Sequence, residues 1–211
     1  MSSEQPEGFL ALPAAGRGKS VLVLHAWWGL NDTVRAFCTR LAEEGFVAFA
    51  PDLYRGQVTD TIEGAEALAG ALFKNRERAV TDIAEAAAFL KERGDTGLTV
   101  IGFSLGASYA LRLAASETEG LRKVVLFYGT GGGDFSTSQA AFLGHFAEND
   151  DFEPREEVDA LEASLREASR PVAFYHYPNT GHWFFEPDRT DAYDETAAEL
   201  AWERTLDFLR S

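Results

Sequence analysis

The chain has little with which to cross-link, anchor itself or hold polyanions. Cys38 is its single cysteine. One thiol excludes an internal disulfide framework and a cysteine-rich metal site. No apolar run approaches the ~18 residues that span a bilayer. Met1 to Gly8 is polar and acidic, with neither a basic nor an apolar stretch, so no signal peptide is expected. Basic residues are scarce, lysine above all, and the formal net charge is −15. No basic run offsets that charge, which argues against a nucleic acid or an anionic membrane surface as partner. There is no internal repeat and no low-complexity linker. These absences leave a cytoplasmic protein, monomer or homodimer, whose partner is a small molecule. No cofactor and no metal are expected.

At 211 residues the chain is long enough for one well-buried core, and a single domain over residues 1–211 is expected. Apolar, β-rich runs alternate with helical patterns. Val21 to His25 reads as the first strong strand. Asn31 or Asp32 can cap a following helix, in which Val34, Phe37, Cys38 and Leu41 share one face. Gly45 ends it, and Phe46 to Ala50 is a second strand. Residues 61–93 read as two helices, the second with Val80, Ile83, Ala87 and Leu90 on its core face. Leu98 to Phe103 and Val124 to Tyr128 are further strands. Ala140 to Phe146 is a weaker fifth, Pro154 to Ala168 a helix, and Pro171 to Tyr177 a sixth strand. A long helix from about Thr190 to Leu209 closes the chain, with Leu200, Leu206 and Leu209 on its apolar face. Strands apolar on both faces and separated by helices predict an α/β fold, a mostly parallel sheet with helices on both faces. Active sites in such sheets lie beyond the carboxyl ends of the strands.

One such end carries Gly102-Phe103-Ser104-Leu105-Gly106, between the run from Leu98 and a helical segment reaching Ala115. Strand, G-x-S-x-G turn and helix in that order form the nucleophile elbow of the α/β-hydrolase fold. A serine hydroxyl needs a base to take its proton. Of the four histidines, His182 lies in a polar, flexible stretch, Asn179 to Trp183, just past the last strand. His25 ends the first strand, whereas His145 and His176 fall within strand-like runs. The third member should be a carboxylate lying between the serine and the histidine in chain order, after a strand. Asp150 and Asp151 both satisfy this. Asp134, in a glycine-rich loop, and Asp159, on a helix, satisfy it less well.

Two backbone N–H groups normally hold the oxyanion, one from the residue after the nucleophile and one from the loop after the first strong strand. Here they are Leu105 and Trp27. His25, Trp28, Tyr128 and Trp183, all at or just past strand ends, are the expected substrate-pocket residues. Cys38, on the apolar face of a helix, reads as a structural thiol. Gly129 to Gly133 lacks the Lys-Ser or Lys-Thr of a phosphate loop. It spans only a short gap between strands, leaving no room for a cap domain. Asp52 and Arg55 read as residues that fix a loop at the sheet edge.

Several stretches together resemble the dienelactone hydrolase family over nearly the whole chain. They are His25-Ala26-Trp27-Trp28-Gly29-Leu30-Asn31, Leu41 to Phe46, Ala50-Pro51-Asp52-Leu53-Tyr54, the Ser104 motif, His145 to Asp150, Tyr177 to Trp183, and Ala198 to Phe208. The resemblance implies an α/β-hydrolase fold, hydrolytic chemistry, and Asp150 rather than Asp151 as the acid. The best-known members carry cysteine where this chain has Ser104, and a glutamate where it has Ala26. That glutamate is implicated in managing the thiol, so the two departures agree with each other. The family's dienelactone enzymes also hold a substrate carboxylate with arginines. One stands a few residues past the histidine, where this chain has Phe185-Glu186. Arg189 is nearby but out of register, and Arg76 and Arg78 are the counterparts available for the other arginine.

Two functions compete. One is a serine hydrolase that cleaves carboxylic esters or lactones through an acyl-enzyme. The other is a non-catalytic small-molecule binding protein on a hydrolase scaffold, since fold alone does not fix function.

Overall fold

The computed structural model describes residues 4–116 and 118–211. In chain order the elements are β1 (Gly8–Ala11), β2 (Lys19–Leu24), α1 (Asp32–Glu43), β3 (Val47–Pro51), α2 (Ile62–Lys74), α3 (Arg76–Arg93), β4 (Asp95–Phe103), α4 (Leu105–Ala115), β5 (Leu121–Phe127), β6 (Ala141–Ala147), α5 (Arg155–Glu167), β7 (Val172–Tyr177) and α6 (Glu195–Arg210). The strands form one sheet in the order β1-β3-β2-β4-β5-β6-β7. It is the mostly parallel α/β sheet expected, with an antiparallel β1 at one edge, where Gly8 lies opposite Pro51 and Ala11 opposite Ala48. Sequence reading overlooked β1. Four residues with a glycine carry too little alternation to mark a strand. The chain packs as two compact units, residues up to Val100 and residues from Ile101 onward.

In the first unit, β2 and β3 pair in parallel, Ser20 beside Val47 and Leu22 beside Phe49. Both are buried almost end to end, which is why they read as continuous apolar runs. Helix α1 begins where the Asn31 side chain accepts from the Val34 N–H. It ends in a Schellman turn: Phe46 N–H donates to Leu41 O and Gly45 N–H to Ala42 O. That turn needs the left-handed backbone of Gly45 (φ 93°). Asp52 fixes the turn after β3, its two carboxylate oxygens accepting from Tyr54 N–H at 3.0 Å and Gly56 N–H at 2.6 Å. The expected core face of α3 is corrected at one position: Val80 is 43% exposed. The buried stripe is Ala79, Ile83, Ala86 and Leu90, roughly 100° away round the helix. Alanines carry half of it, and they give a weaker apolar signal than valine.

In the second unit, β5, β6 and β7 run parallel, with Phe127 beside His145 and Ala147 beside Tyr177. Helix α4 packs on β5, α5 on β7 and α6 on β6. Leu200 is the second correction, at 40% exposed. The buried stripe of α6 is Ala198, Ala201, Trp202, Thr205, Leu206 and Leu209. β5 and β6 are joined by a loop without a helix, and the loops after β4, β5, β6 and β7 carry the residues of interest. Among the described residues, no helix is long and apolar enough to cross a membrane.

Candidate active site

The elbow forms because two glycines allow it. β4 stops at Phe103, and Ser104 takes a left-handed backbone (φ 48°, ψ −112°) before α4 starts at Leu105. Such a conformation is costly for a residue with a Cβ and persists where the surroundings hold it. Here Ser104 N–H donates to Phe127 O at 2.9 Å and Ala107 N–H to Ser104 O at 2.8 Å. A Cβ on Gly102 would stand 2.5 Å from Gly106 O and 2.6 Å from Ala107 Cα. A Cβ on Gly129 would stand 2.6 Å from Ser104 O. Neither position tolerates a side chain while the serine keeps this turn.

His182 sits past β7 with its Nε2 3.0 Å from Ser104 Oγ. Its Nδ1 lies 2.8 Å and 2.9 Å from the two carboxylate oxygens of Asp150, past β6. The carboxylate fixes the tautomer: Nδ1–H donates to Asp150, leaving Nε2 to accept from the serine hydroxyl. Asp150 is held in turn, its Oδ1 accepting from the N–H groups of Phe152 and Glu153, each at 2.9 Å. The acid and histidine loops are laced together by Glu148 N–H to Tyr177 O, Asn149 N–H to Thr180 O, and Asn179 N–H to the Glu148 carboxylate. Of the two adjacent aspartates, Asp150 faces the imidazole and Asp151 is exposed. Asp134 accepts from Ser136 N–H, and Asp159 pairs with Arg155 on α5.

Three rings surround the imidazole: Tyr128 at 5.0 Å, Phe152 at 5.1 Å and Trp183 at 4.9 Å between centroids. Tyr128 and Trp183, read from the sequence as pocket residues, are buried against the histidine. Phe152, which sequence reading missed, is half exposed. No motif marked it; it is found only because Asp150 is found. Tyr128 donates its hydroxyl to Glu186 at 2.7 Å. Burial pushes the Glu186 carboxyl up to about 8, and burial beside Glu186 raises the Tyr128 phenol well above its ordinary value. Thr130 donates a short hydrogen bond to Glu153, whose half-buried carboxyl burial also raises.

The other histidines are occupied elsewhere. His145, in β6, is fully buried between the hydroxyls of Tyr177 (2.8 Å) and Thr205 (3.0 Å). Burial drives its pKa down to about 3, so the ring stays neutral. His25, expected as a pocket residue, fastens a loop of the first unit. Its ring is wholly buried in the first unit, with Nδ1 2.6 Å from Ala26 O and Nε2 accepting from Leu53 N–H at 3.3 Å. Both nitrogens are committed to backbone, which is the work of a loop fastener. Trp28, also expected in the pocket, is 1% exposed and packs edge-on to Trp27, which is the more open of the two. Two adjacent residues point different ways, and the sequence does not say which is inside. Cys38 is buried and its thiol is pushed up to about 12, so it carries no thiolate at neutral pH. Arg78, one candidate anion holder, spends its guanidinium on Leu53 O and Asp82. Among the described residues, no group of three or more His, Cys, Asp or Glu is arranged to hold a metal ion.

A mostly parallel sheet with a serine on its strand-to-helix turn is the architecture of an α/β-hydrolase. Residues 7–211 match the dienelactone hydrolase family, and the chain belongs to it. It is 32% identical to Protein usf of Aquifex pyrophilus, over 96% of this chain and 92% of that one. It is also 32% identical to a protein of Aquifex aeolicus (strain VF5) assigned by name as a carboxymethylenebutenolidase, over 97% of this chain and 92% of that one. Among solved structures it resembles a protein of Klebsiella pneumoniae assigned as a dienelactone hydrolase. The two are 26% identical with a TM-score of 0.80, covering 92% of this chain and 87% of the other. The chain is therefore a hydrolase of the carboxylic-ester type.

Proposed function

We propose that the protein is a serine hydrolase that opens carboxylic esters or lactones through an acyl-enzyme. The observation that carries this reading is the hydrogen-bonded series Ser104–His182–Asp150, with contacts of 3.0 Å and 2.8 Å. Ser104 Oγ attacks the carbonyl carbon while His182 Nε2 takes its proton. Asp150 holds the imidazole in its tautomer and stabilises the charged ring. The carbonyl oxygen, now negative, is received by the Leu105 N–H at the start of α4. Losing one such donor costs about 3 kcal/mol of transition-state stabilisation. His182 then protonates the leaving oxygen. Water, deprotonated by His182, attacks the acyl carbon and releases the acid, restoring Ser104. The substrate is a small ester or lactone. In this family cysteine is the better-known nucleophile, and Ser104 with Ala26 suits a base-activated hydroxyl.

The test is Ser104→Ala, assayed on a panel of short aryl esters and lactones. Turnover should fall by at least about 10^3-fold, as when a triad member is lost elsewhere. A fluorophosphonate probe should label Ser104, seen by mass spectrometry of the intact and digested protein. Near-normal turnover in the variant, or no labelling at saturating probe, sinks this reading and leaves a binding protein on a hydrolase scaffold.

A further inference from the structure

Three consecutive residues after β5 each touch a different one of the loops that carry the triad. Tyr128 reaches the histidine loop: its ring lies 5.0 Å from His182, and its hydroxyl donates to Glu186, four residues beyond that histidine. Gly129 lies on the elbow, with no room for a Cβ against Ser104 O. Thr130 reaches the acid loop by donating to the Glu153 carboxylate. Glu153 in turn gives its own N–H to Asp150 Oδ1 at 2.9 Å. The tripeptide is itself anchored, since Tyr128 N–H donates to His145 O at 2.8 Å. Tyr128 also keeps a left-handed backbone (φ 36°), uncommon for an aromatic residue.

We propose that Tyr128-Gly129-Thr130 is a brace whose two hydroxyl–carboxyl bonds, Tyr128–Glu186 and Thr130–Glu153, hold His182 and Asp150 in reacting geometry against Ser104. The inference rests on the serine-hydrolase reading and adds four positioning residues to it. None touches the reacting atoms. Their hydroxyls and carboxyls act through the imidazole and the acid.

Two physical points support a positioning role. Burying a carboxyl group is costly, and phenylalanine, valine or leucine would fill the same space without that cost. Both Glu186 and Glu153 carry the mark of this cost, their carboxyls raised by burial. Asp188 raises Glu186 further, while Arg189 offsets part of the effect. The second point is directional. A hydrogen bond fixes an angle as well as a distance, and misplacing a catalytic group by about 1 Å can cost about 10^2-fold in rate.

The experiment compares Tyr128→Phe, Thr130→Val and their double variant with the wild type, using p-nitrophenyl acetate and a fluorophosphonate probe. Tyr128→Phe keeps the ring against His182 and removes only the hydroxyl. Thr130→Val keeps the shape and removes the other hydroxyl. Each should lower kcat by about tenfold, and the double variant by about 10^2-fold, with KM within about twofold of the wild type. The rate of Ser104 labelling should fall in step with kcat. Thr130→Ser, which restores a hydroxyl, should recover most of the Thr130→Val loss. The brace is overturned if both single variants keep kcat within twofold, if the loss is in KM alone, or if Thr130→Ser is no better than Thr130→Val. Should Tyr128→Phe fail to fold, the Thr130 pair decides. A wild type that the probe does not label overturns the serine reading and the brace together. A wild type that labels, with both variants labelling at its rate, overturns the brace alone.

Discussion

His182 and His145 lie in the same unit, both buried and both hydrogen-bonded through each ring nitrogen, yet their partners differ in kind. His145 sits in the middle of β6 between two hydroxyls. Nothing on either side favours its charged form, and burial holds it neutral down to about pH 3. His182 sits on a loop, with a carboxylate on Nδ1 and a serine on Nε2. A carboxylate partner stabilises an imidazolium, as a neutral hydroxyl does not. Burial alone therefore does not make a general base. The partner on the far nitrogen does, and it must be one that tolerates a positive ring.

The comparison is broken most severely at His182 itself. His182→Ala removes the base and should lower ester turnover by about 10^4-fold or more. The melting temperature should shift by only a few degrees, because the ring packs among loop residues and not in the interior of the sheet. Steady-state kinetics with thermal unfolding on the same preparation checks both halves. Asp150→Asn is the subtler break, since it gives His182 the carboxylate-free surroundings of His145. The amide can present an N–H to Nδ1 and so support the wrong tautomer. A loss of about 10^3- to 10^4-fold in kcat is expected, with KM little changed.

At His145 the expectation reverses. Thr205→Val, on α6, leaves Nε2 without its hydroxyl partner in a closed site. An unpaired buried polar group costs about 1–3 kcal/mol. Urea unfolding should show that loss while kcat of the folded enzyme stays within about twofold. A large fall in kcat at constant stability would mean that His145 has a part in turnover.

How much of this was legible beforehand differs between the same two places. Ser104 was legible because an elbow demands a fixed spacing of small residues round the nucleophile, and Gly102 has backbone 2.5 Å from where its Cβ would be. His182 and Asp150 were legible from the rule that such residues follow strands. The separation of Asp150 from Asp151 came from resemblance, because two adjacent turn carboxylates look alike until one of them takes the N–H groups of Phe152 and Glu153. The Tyr128–Glu186 bond was not legible at all. Its partners are 58 residues apart, and a glutamate in a loop reads as a solvated charge until the fold is known to bury it. Val80 and Leu200 misled for a related cause. Both are strong apolar letters beside a stripe in which alanines, a weaker signal, hold several of the buried positions.

The smallest predicted effect separates the two regions by pH. Burial lifts Glu186 from its ordinary 4.5 to about 8, so the folded chain holds a proton there that the unfolded chain releases above pH 4.5. Glu186 therefore favours the unfolded state progressively as pH rises from 4.5 to 8, and the slope ends there. His145 runs the other way. Its folded value of about 3 lies below the ordinary 6.5, so stability is lost as pH falls through that interval. His25 and His176, also lowered by burial, add to the acid side. Below pH 6.5 the two effects oppose each other. Between pH 6.5 and 8 the histidine contribution fades as the unfolded imidazoles lose their remaining protons, and the contribution of Glu186 continues, about 1 kcal/mol per pH unit. Glu186→Gln can still accept from the Tyr128 hydroxyl but cannot titrate. Chemical unfolding at pH 6.5, 7.25 and 8 should show the wild type losing stability relative to this variant at each step. Parallel stabilities across the window would mean that Glu186 is ionised in the folded protein well below pH 6.5, so that the Tyr128–Glu186 bond rests on a charged carboxylate already at neutral pH.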